Sequence, residues 1–465
     1  MSFRTETDSL GPVQVPAEAY WGAQTQRAIE NFPISGLRMP PRFIRALAVI
    51  KKAWAQVNLD QKLLDEKIAR AIIQAADEVA IGTHDSQFPV DIFQTGSATS
   101  TNMNANEVIS NRAIEILGGQ RGSKKPVHPN DHVNKSQSSN DIIPTALHVA
   151  ALDSLENDVI PSLKYLHTAL AQKAKEFDPI VKIGRTHLMD AVPVRLGQEF
   201  SGYASQLEHS IVRAQGARAH LGELALGGTA VGTGINADPK LPPLVIAKVA
   251  AEMKLPLKQA PNLFEALAAR DAAVEASGVL KTIACSLMKV ANDIRLLGSG
   301  PRCGIGEIIL PDLQPGSSIM PGKVNPVMPE MLTMVAAQII GCDAAITVGG
   351  MQGHFELNVF KPMIAYNLLL SMQILSNGCR AFADKCVKDL KANRERCEEL
   401  IEKSLMLCTA LAPHPKVGYD VSAKLAQEAY KTGKTVRQLA TEKKLLPADE
   451  LNALLDVRKM TEPGA

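Results

Sequence analysis

At 465 residues the chain is long enough for two or three domains, each with its own core. Its 50 basic and 48 acidic residues nearly cancel, and a net charge of +2 excludes the strong basic footprint expected of a nucleic-acid binder or of a protein held on anionic membranes. Aromatics are only 4% while Ala, Leu, Ile, Val and Met are plentiful, a mix that favours long packed helices over a β-sandwich.

In chain order, the polar, acidic start from Met1 to Asp8 has neither an apolar signal core nor an Arg-rich transit pattern. The segment from Asp8 to Pro16 reads as an irregular or short extended start. Helical patterning begins near Pro41 and recurs from Asp60 to Ile81. Loops rich in Gly, Asn, Ser and Pro follow at Thr95–Asn106 and Gly118–Asn140. Apolar residues at helical spacing then predict long helices over roughly 142–177, 196–226, 262–297, 330–349 and 355–394. In the first, Leu147, Ala150, Ala151, Leu155, Val159 and Leu163 repeat at three and four residues. Long, Ala-rich, weakly capped helices need neighbours on more than one side, so the pattern predicts a mainly α fold built on a bundle of long antiparallel helices. Their wide apolar faces predict that the bundle continues across a subunit interface. The most apolar window, about Met331 to Gly350, is interrupted by Gln338 and Asp343 and reads as a buried helix, with no membrane span expected. These shifts divide the chain into a mixed, mostly helical segment at 1–139, a central bundle at 140–394 and a small helical domain at 395–465. Seven cysteines without a C-x-x-C pair fit reduced thiols in the cytoplasm better than a disulfide framework.

The segment from Gly316 to Pro326, GSSIMPGKVNP, carries the most chemical information. Two glycines and two prolines rule out a helix interior or a central strand. The hydroxyl pair Ser317 and Ser318, with Lys323 and Asn325, forms a loop able to wrap a small anion and bring a base close to it. The loop from Thr95 to Asn104 sets five hydroxyls and two amides around Gly96, and hydroxyls and N–H groups at a helix start are ready anion donors. The stretch from Lys135 to Asp141, just before a long helix, holds more polar side chains than one cap needs, with Ser139, Asn140 or Asp141 as the expected N-cap. Gly184-Arg185-Thr186-His187-Leu188 places a histidine between two helical stretches. His128-Pro129-Asn130-Asp131-His132 has H-x-x-x-H spacing, but Pro129–Asp131 reads as a turn without an evident third ligand, so an anion-binding turn is expected and no metal. The glycine-rich stretch from Gly227 to Gly234 lacks both nucleotide-loop patterns and follows a helical pattern where a strand is needed, so packing or a turn is its expected role. Gly304-Ile305-Gly306-Glu307 is equally weak as a nucleotide loop.

Together these segments resemble the fumarase/aspartase superfamily over essentially the whole chain, and within it the class II fumarases. The Gly316–Asn325 loop matches the superfamily signature. Gln94–Ser97, Asn102–Asn104, Val127–Asp131, Asn134–Asp141, Gly184–Leu188 and Leu196–Phe200 match as well. The resemblance implies a three-domain, mostly helical subunit and a homotetramer whose active sites each draw on three chains. It implies reversible anti elimination of water from L-malate to give fumarate, within the tricarboxylic acid cycle, without metal or organic cofactor. Ser317 would be the base, His187 the acid acting through a water, and Glu330 the partner of His187. Lys323 and Asn325 would hold the carboxylate that gains charge. Ser97, Ala98, Thr99, Ser138, Ser139, Asn140, Thr186, Ser318 and Val324 would bind the two carboxylates. Lys125, His128, Pro129, Asn130 and Asp131 match an accessory dicarboxylate site, with Lys125 where many fumarases have Arg. The alternative is aspartase, which shares nearly every element but typically carries Gln at the position of His187. A non-catalytic structural member of the superfamily need not keep Ser317, Lys323, Asn325 and His187, all of which are present.

Overall fold

Helix-period patterning dominates the computed structural model, which describes residues 2–464. The described chain opens on an antiparallel hairpin, β1 (Phe3–Asp8) and β2 (Gly11–Pro16), of which the sequence pattern shows only the second arm. There follow α1 (Ala23–Asn31), α2 (Pro41–Asp60) and α3 (Glu66–Ala80). Pro41 opens α2 at a position whose N–H would be unpaired anyway. Asp65 caps α3 by accepting from the N–H groups of Lys67 and Ile68. Next come α4 (Thr99–Ile116), a single π-turn at Pro129–Val133, and α5 (Ser139–Ser154). A second π-turn at Leu155–Val159 joins α5 to α6 (Ile160–Glu176), so the stretch predicted at 142–177 is one helical run with a local widening.

The sequence pattern places only a connection after α6, whereas the chain forms a hairpin of β3 (Val181–Thr186) and β4 (Met189–Arg195). Beyond it lie α7 (Leu196–Gly216), α8 (Arg218–Leu221), β5 (Glu223–Leu224), α9 (Leu241–Met253), β6 (Lys258–Gln259), α10 (Leu263–Ala268) and α11 (Asp271–Leu297). The rest comprises β7 (Ile308–Ile309), α12 (Val327–Gly350), α13 (Lys361–Phe382), β8 (Lys391–Ala392), α14 (Arg394–Lys403), α15 (Gly418–Thr432), α16 (Val436–Glu442) and α17 (Ala448–Leu454). The short strands pair as β5 with β6, parallel, and β7 with β8, antiparallel.

The chain forms two compact units. One comprises the chain up to Pro161 with Val212–Ala284 and Ala337–Ser376; the other comprises Ser162–Ile211, Cys285–Ala336 and the chain from Asn377. In the first, Phe43, Leu47, Ile50 and Trp54 of α2, Ile72 and Ala76 of α3, and Val108 and Ile109 of α4 are buried. In the second, the C-terminal helices close on an apolar cluster of their own, including Ile401, Leu407, Leu425, Val436, Leu439 and Leu451.

Helix α12 departs from expectation. It is long and apolar enough to cross a membrane by length and composition, yet only a third of its most apolar window is buried within the chain. Met334, Ile340 and Val348 stand exposed. Of its two acids, Asp343 is buried and held by Ser277 Oγ at 2.8 Å and Lys281 Nζ at 2.7 Å, both from α11. The sequence pattern predicts a buried helix; the single chain supplies only part of the cover.

Candidate active site

The candidate residues divide between the two units. In the second, Gly316–Pro326 closes on itself through main-chain bonds. Gly316 N–H donates to Lys323 O at 2.8 Å, Lys323 N–H to Met320 O at 3.3 Å, and the Asn325 carboxamide to Gly316 O. A Cβ at 316 would meet Lys323 O at 2.4 Å, so only glycine allows this closure. Inside the loop, Ser317 Oγ accepts the N–H groups of Ile319 at 3.2 Å and Met320 at 2.9 Å. Lys323 Nζ contacts Asn325 Oδ1. The loop borders a cavity of about 420 Å³ lined by Ser317, Met320, Lys323 and Val324 among others. Two aimed N–H dipoles with an ammonium two residues from the asparagine form a setting in which negative charge on Ser317 Oγ is stabilised.

In the same unit, Thr186 and His187 sit at the tip of the β3–β4 hairpin, where Thr186 pairs with Met189. The two tip residues, His187 and Leu188, have φ of 56° and 59°. Positive φ at both central residues is what a tight type I′ hairpin turn demands, and it is uncommon for a histidine and unfavourable for a leucine. His187 is exposed, and Glu330 lies half-buried in the first turn of α12. Among the described residues no hydrogen bond or ion pair joins these two side chains within the single chain.

The first unit holds the hydroxyls. Ser97 Oγ and Thr99 Oγ1 lie 2.8 Å apart, and Thr99 Oγ1 lies 2.8 Å from Ser139 Oγ, so the two loops form one hydroxyl chain. Ala98, at φ 56°, occupies the N-cap of α4 and turns the loop into the helix. The N-cap of α5 is Ser138, whose Oγ accepts from Asn140 N–H while Asp141 accepts from Ser138 N–H. The cap therefore lies one residue before the expected candidates, since a capping box needs its acid three residues on. Asn140 spends one amide N–H on Ala230 O at 2.8 Å and keeps the other. The glycine-rich stretch has a tethering role: Gly227 and Thr229 donate their N–H groups to buried Asp141 at 3.1 and 3.0 Å.

The accessory turn lies in the first unit as well. His128 caps the π-turn, its Nδ1 accepting from Asn130 N–H at 3.3 Å and Asp131 N–H at 3.2 Å. The same nitrogen lies 3.3 Å from the Asp131 carboxylate. Pro129 is buried, while Lys125, Asn130 and Asp131 are exposed.

Known proteins share this sequence and fold. A lyase family model matches residues 11–341, and one for the fumarase C C-terminus matches 407–462. The chain is 55% identical to a fumarate hydratase class II of Bradyrhizobium diazoefficiens over 461 residues, covering 99% of this chain and 97% of that one. It is 55% identical to the mitochondrial fumarate hydratase of Homo sapiens, covering 99% and 90%. A class II fumarase crystal structure from Schistosoma mansoni superposes with a TM-score of 0.95 at 44% identity, covering all of both chains.

This chain belongs to the class II fumarases. Aspartase is not favoured. Beyond the family's matching loops, the sequence pattern misses the buried lysines beneath them. Lys361, fully buried at the start of α13, donates its Nζ to Asn140 O and its main-chain N–H to Gly96 O, both at 3.1 Å. It thereby ties together the two hydroxyl loops of this class II fumarase. Lys51, buried in α2, donates to Asn134 Oδ1 and Gln137 Oε1, both at 2.9 Å. For Lys361 the available signal is a single lysine in an apolar stretch, Val359-Phe360-Lys361-Pro362-Met363; for Lys51 it is weaker, because apolar Leu47–Ile50 precedes it but Lys52 follows.

Burial pushes Lys51 down to about 7 and Lys361 down to about 6. Unfolded, both stay protonated to about 10.5. Between these limits the unfolded chain binds more protons, so stability rises with pH across that window. The urea midpoint is expected to increase from about pH 7 to about pH 9. A flat or falling midpoint would show that the two lysines are charged in the fold.

Proposed function

We propose that this chain is a fumarate hydratase of the tricarboxylic acid cycle, interconverting L-malate and fumarate plus water by anti elimination and addition. The observation that carries the reading is Ser317 Oγ held by two loop N–H groups beside Lys323 and Asn325. The hard step is removing a weakly acidic C3 proton. Ser317 takes it, as an alkoxide stabilised by those donors. The electron pair moves into the adjacent carboxylate, whose extra charge Lys323 and Asn325 hold. The C2–O bond then breaks, and His187 supplies a proton through a water so that the hydroxyl leaves as water. Glu330 keeps His187 charged and oriented.

Neutral donors bind the two carboxylates: the hydroxyls of Ser97, Thr99, Ser138, Ser139, Thr186 and Ser318, the remaining amide N–H of Asn140, and the main chain at Ala98 and Val324. Lys125 with His128–Asp131 forms an accessory dicarboxylate site.

The assembly we propose is a homotetramer with sites shared between subunits. The exposed apolar face of α12 supports it. So does the exposure of His187, Ser318 and Lys323 in one chain, because a serine alkoxide works only where water is excluded. A second subunit would also bring a Glu330 to each His187. Within a subunit we take 1–139, 140–394 and 395–465 as the three domains. We place the enzyme in the cytoplasm, where its seven free cysteines would stay reduced.

The test is loss of fumarate absorbance with purified protein, with and without ammonium. Conversion to L-malate without ammonium is expected. Loss only with ammonium, giving aspartate, would make it an ammonia-lyase, and no loss in either would point to another fumarate-releasing lyase or to the structural reading.

A further inference from the structure

The hairpin that carries His187 is anchored by a buried ion cluster with no place in the mechanism above. Glu307, fully buried, accepts both Arg185 Nη1 and Nη2 at 3.0 Å, a bidentate pair. Lys182 Nζ lies 3.1 Å from the same carboxylate and 3.5 Å from Glu199. Glu307 itself is fixed through its main chain, donating to Leu297 O at 3.0 Å and accepting from Asn393 N–H at 2.9 Å. The weak Gly304–Glu307 motif thus finds its use as the seat of this carboxylate.

Residues three apart on a regular strand point to opposite faces. Lys182 and Arg185 nevertheless converge on one carboxylate, and the hairpin is irregular between them. Ile183 pairs with Pro193 but Arg185 with Asp190, so Gly184 alone faces Ala191 and Val192. A Cβ at 184 would meet Val192 O at 2.7 Å. The bulge is therefore on β4, at Ala191–Val192, and it adds local twist to the hairpin where β3 passes Gly184. Immediately beyond it come Arg185, Thr186 and His187, and the tip holds two positive-φ residues that need external support.

We propose that Glu307, acting through Arg185, is a positioning residue for His187: the buried pair and the β4 bulge opposite Gly184 fix the twist of the hairpin and hence the direction of the imidazole. The inference rests on the reading of His187 as the acid. Gly-Arg-Thr-His then reads as room for the facing bulge, anchor, donor and acid, with Glu307 as the anchor's fixed end.

Two variants keep the charge count of the cluster, so neither leaves a buried ion unpaired. Arg185→Lys loses the bidentate fork, and Glu307→Asp withdraws the carboxylate by one methylene. Each is made alone and with His187→Asn, and kcat and KM for L-malate are measured. Misplacing a catalytic group by about 1 Å costs about a hundredfold, so each single variant is expected to lower kcat about ten- to a hundredfold with KM within about threefold. In the His187→Asn background the same changes should alter kcat by less than about twofold, because no acid is left to aim. Equal losses in both backgrounds, or a loss confined to KM, would overturn the positioning role. Near-normal turnover of His187→Asn alone would instead remove the acid reading, and this inference with it.

Discussion

Ser317→Ala is expected to lower L-malate turnover about a thousandfold or more, within the range that removal of a general base produces, while the protein stays folded and assembled. The loop closes without the serine side chain: Gly316 N–H reaches Lys323 O, and the Asn325 carboxamide reaches Gly316 O. Alanine therefore removes the base and leaves the frame. The two N–H groups of Ile319 and Met320 lose their acceptor, but a site that admits L-malate also admits a water to replace it. Dicarboxylate binding should survive, because the hydroxyl chain Ser97–Thr99–Ser139 and Lys323 are untouched. Turnover, a binding titration with a non-reacting dicarboxylate, and sedimentation decide it. Turnover within tenfold of the unaltered chain would take Ser317 out of the base role.

How much of this could be read from residues alone depends on the range of the signal. Helices α2, α3 and α12 announce themselves because an apolar period of three and four is local, and a proline start or an aspartate cap marks the ends. The loops holding Ser97, Ser139 and Ser317 are equally visible, since glycine, proline and hydroxyl clusters exclude regular structure on their own. The β3–β4 hairpin is not visible. Its tip is His187-Leu188 in place of the usual Asn-Gly, and its bulge hides the alternation of Val181–Arg195. Its support comes from Glu307, more than a hundred residues away in sequence. Lys361 is missed for the same reason. The meaning of a buried lysine lies in Asn140 O and Gly96 O, which only folding brings to it. The cap of α5 was displaced by one residue because several polar residues in a row can all cap, and the capping box with Asp141 selects Ser138.

His187→Asn is the second large effect, expected to lower kcat for L-malate about a hundredfold or more with little change in KM. Asparagine suits this position because it tolerates the left-handed region better than other non-glycine residues. At φ 56° the tip should keep its turn, so lost activity would report the missing proton donor and not a collapsed hairpin. A sharper comparison uses leaving groups. Hydroxide leaves poorly without a proton, whereas chloride leaves without one. The same variant should therefore lose far less activity toward 2-chlorosuccinate than toward L-malate, since Ser317 still removes the C3 proton in both. A similar loss on the two substrates would assign His187 to binding or to the C3 proton, and would leave the departing hydroxyl to another donor.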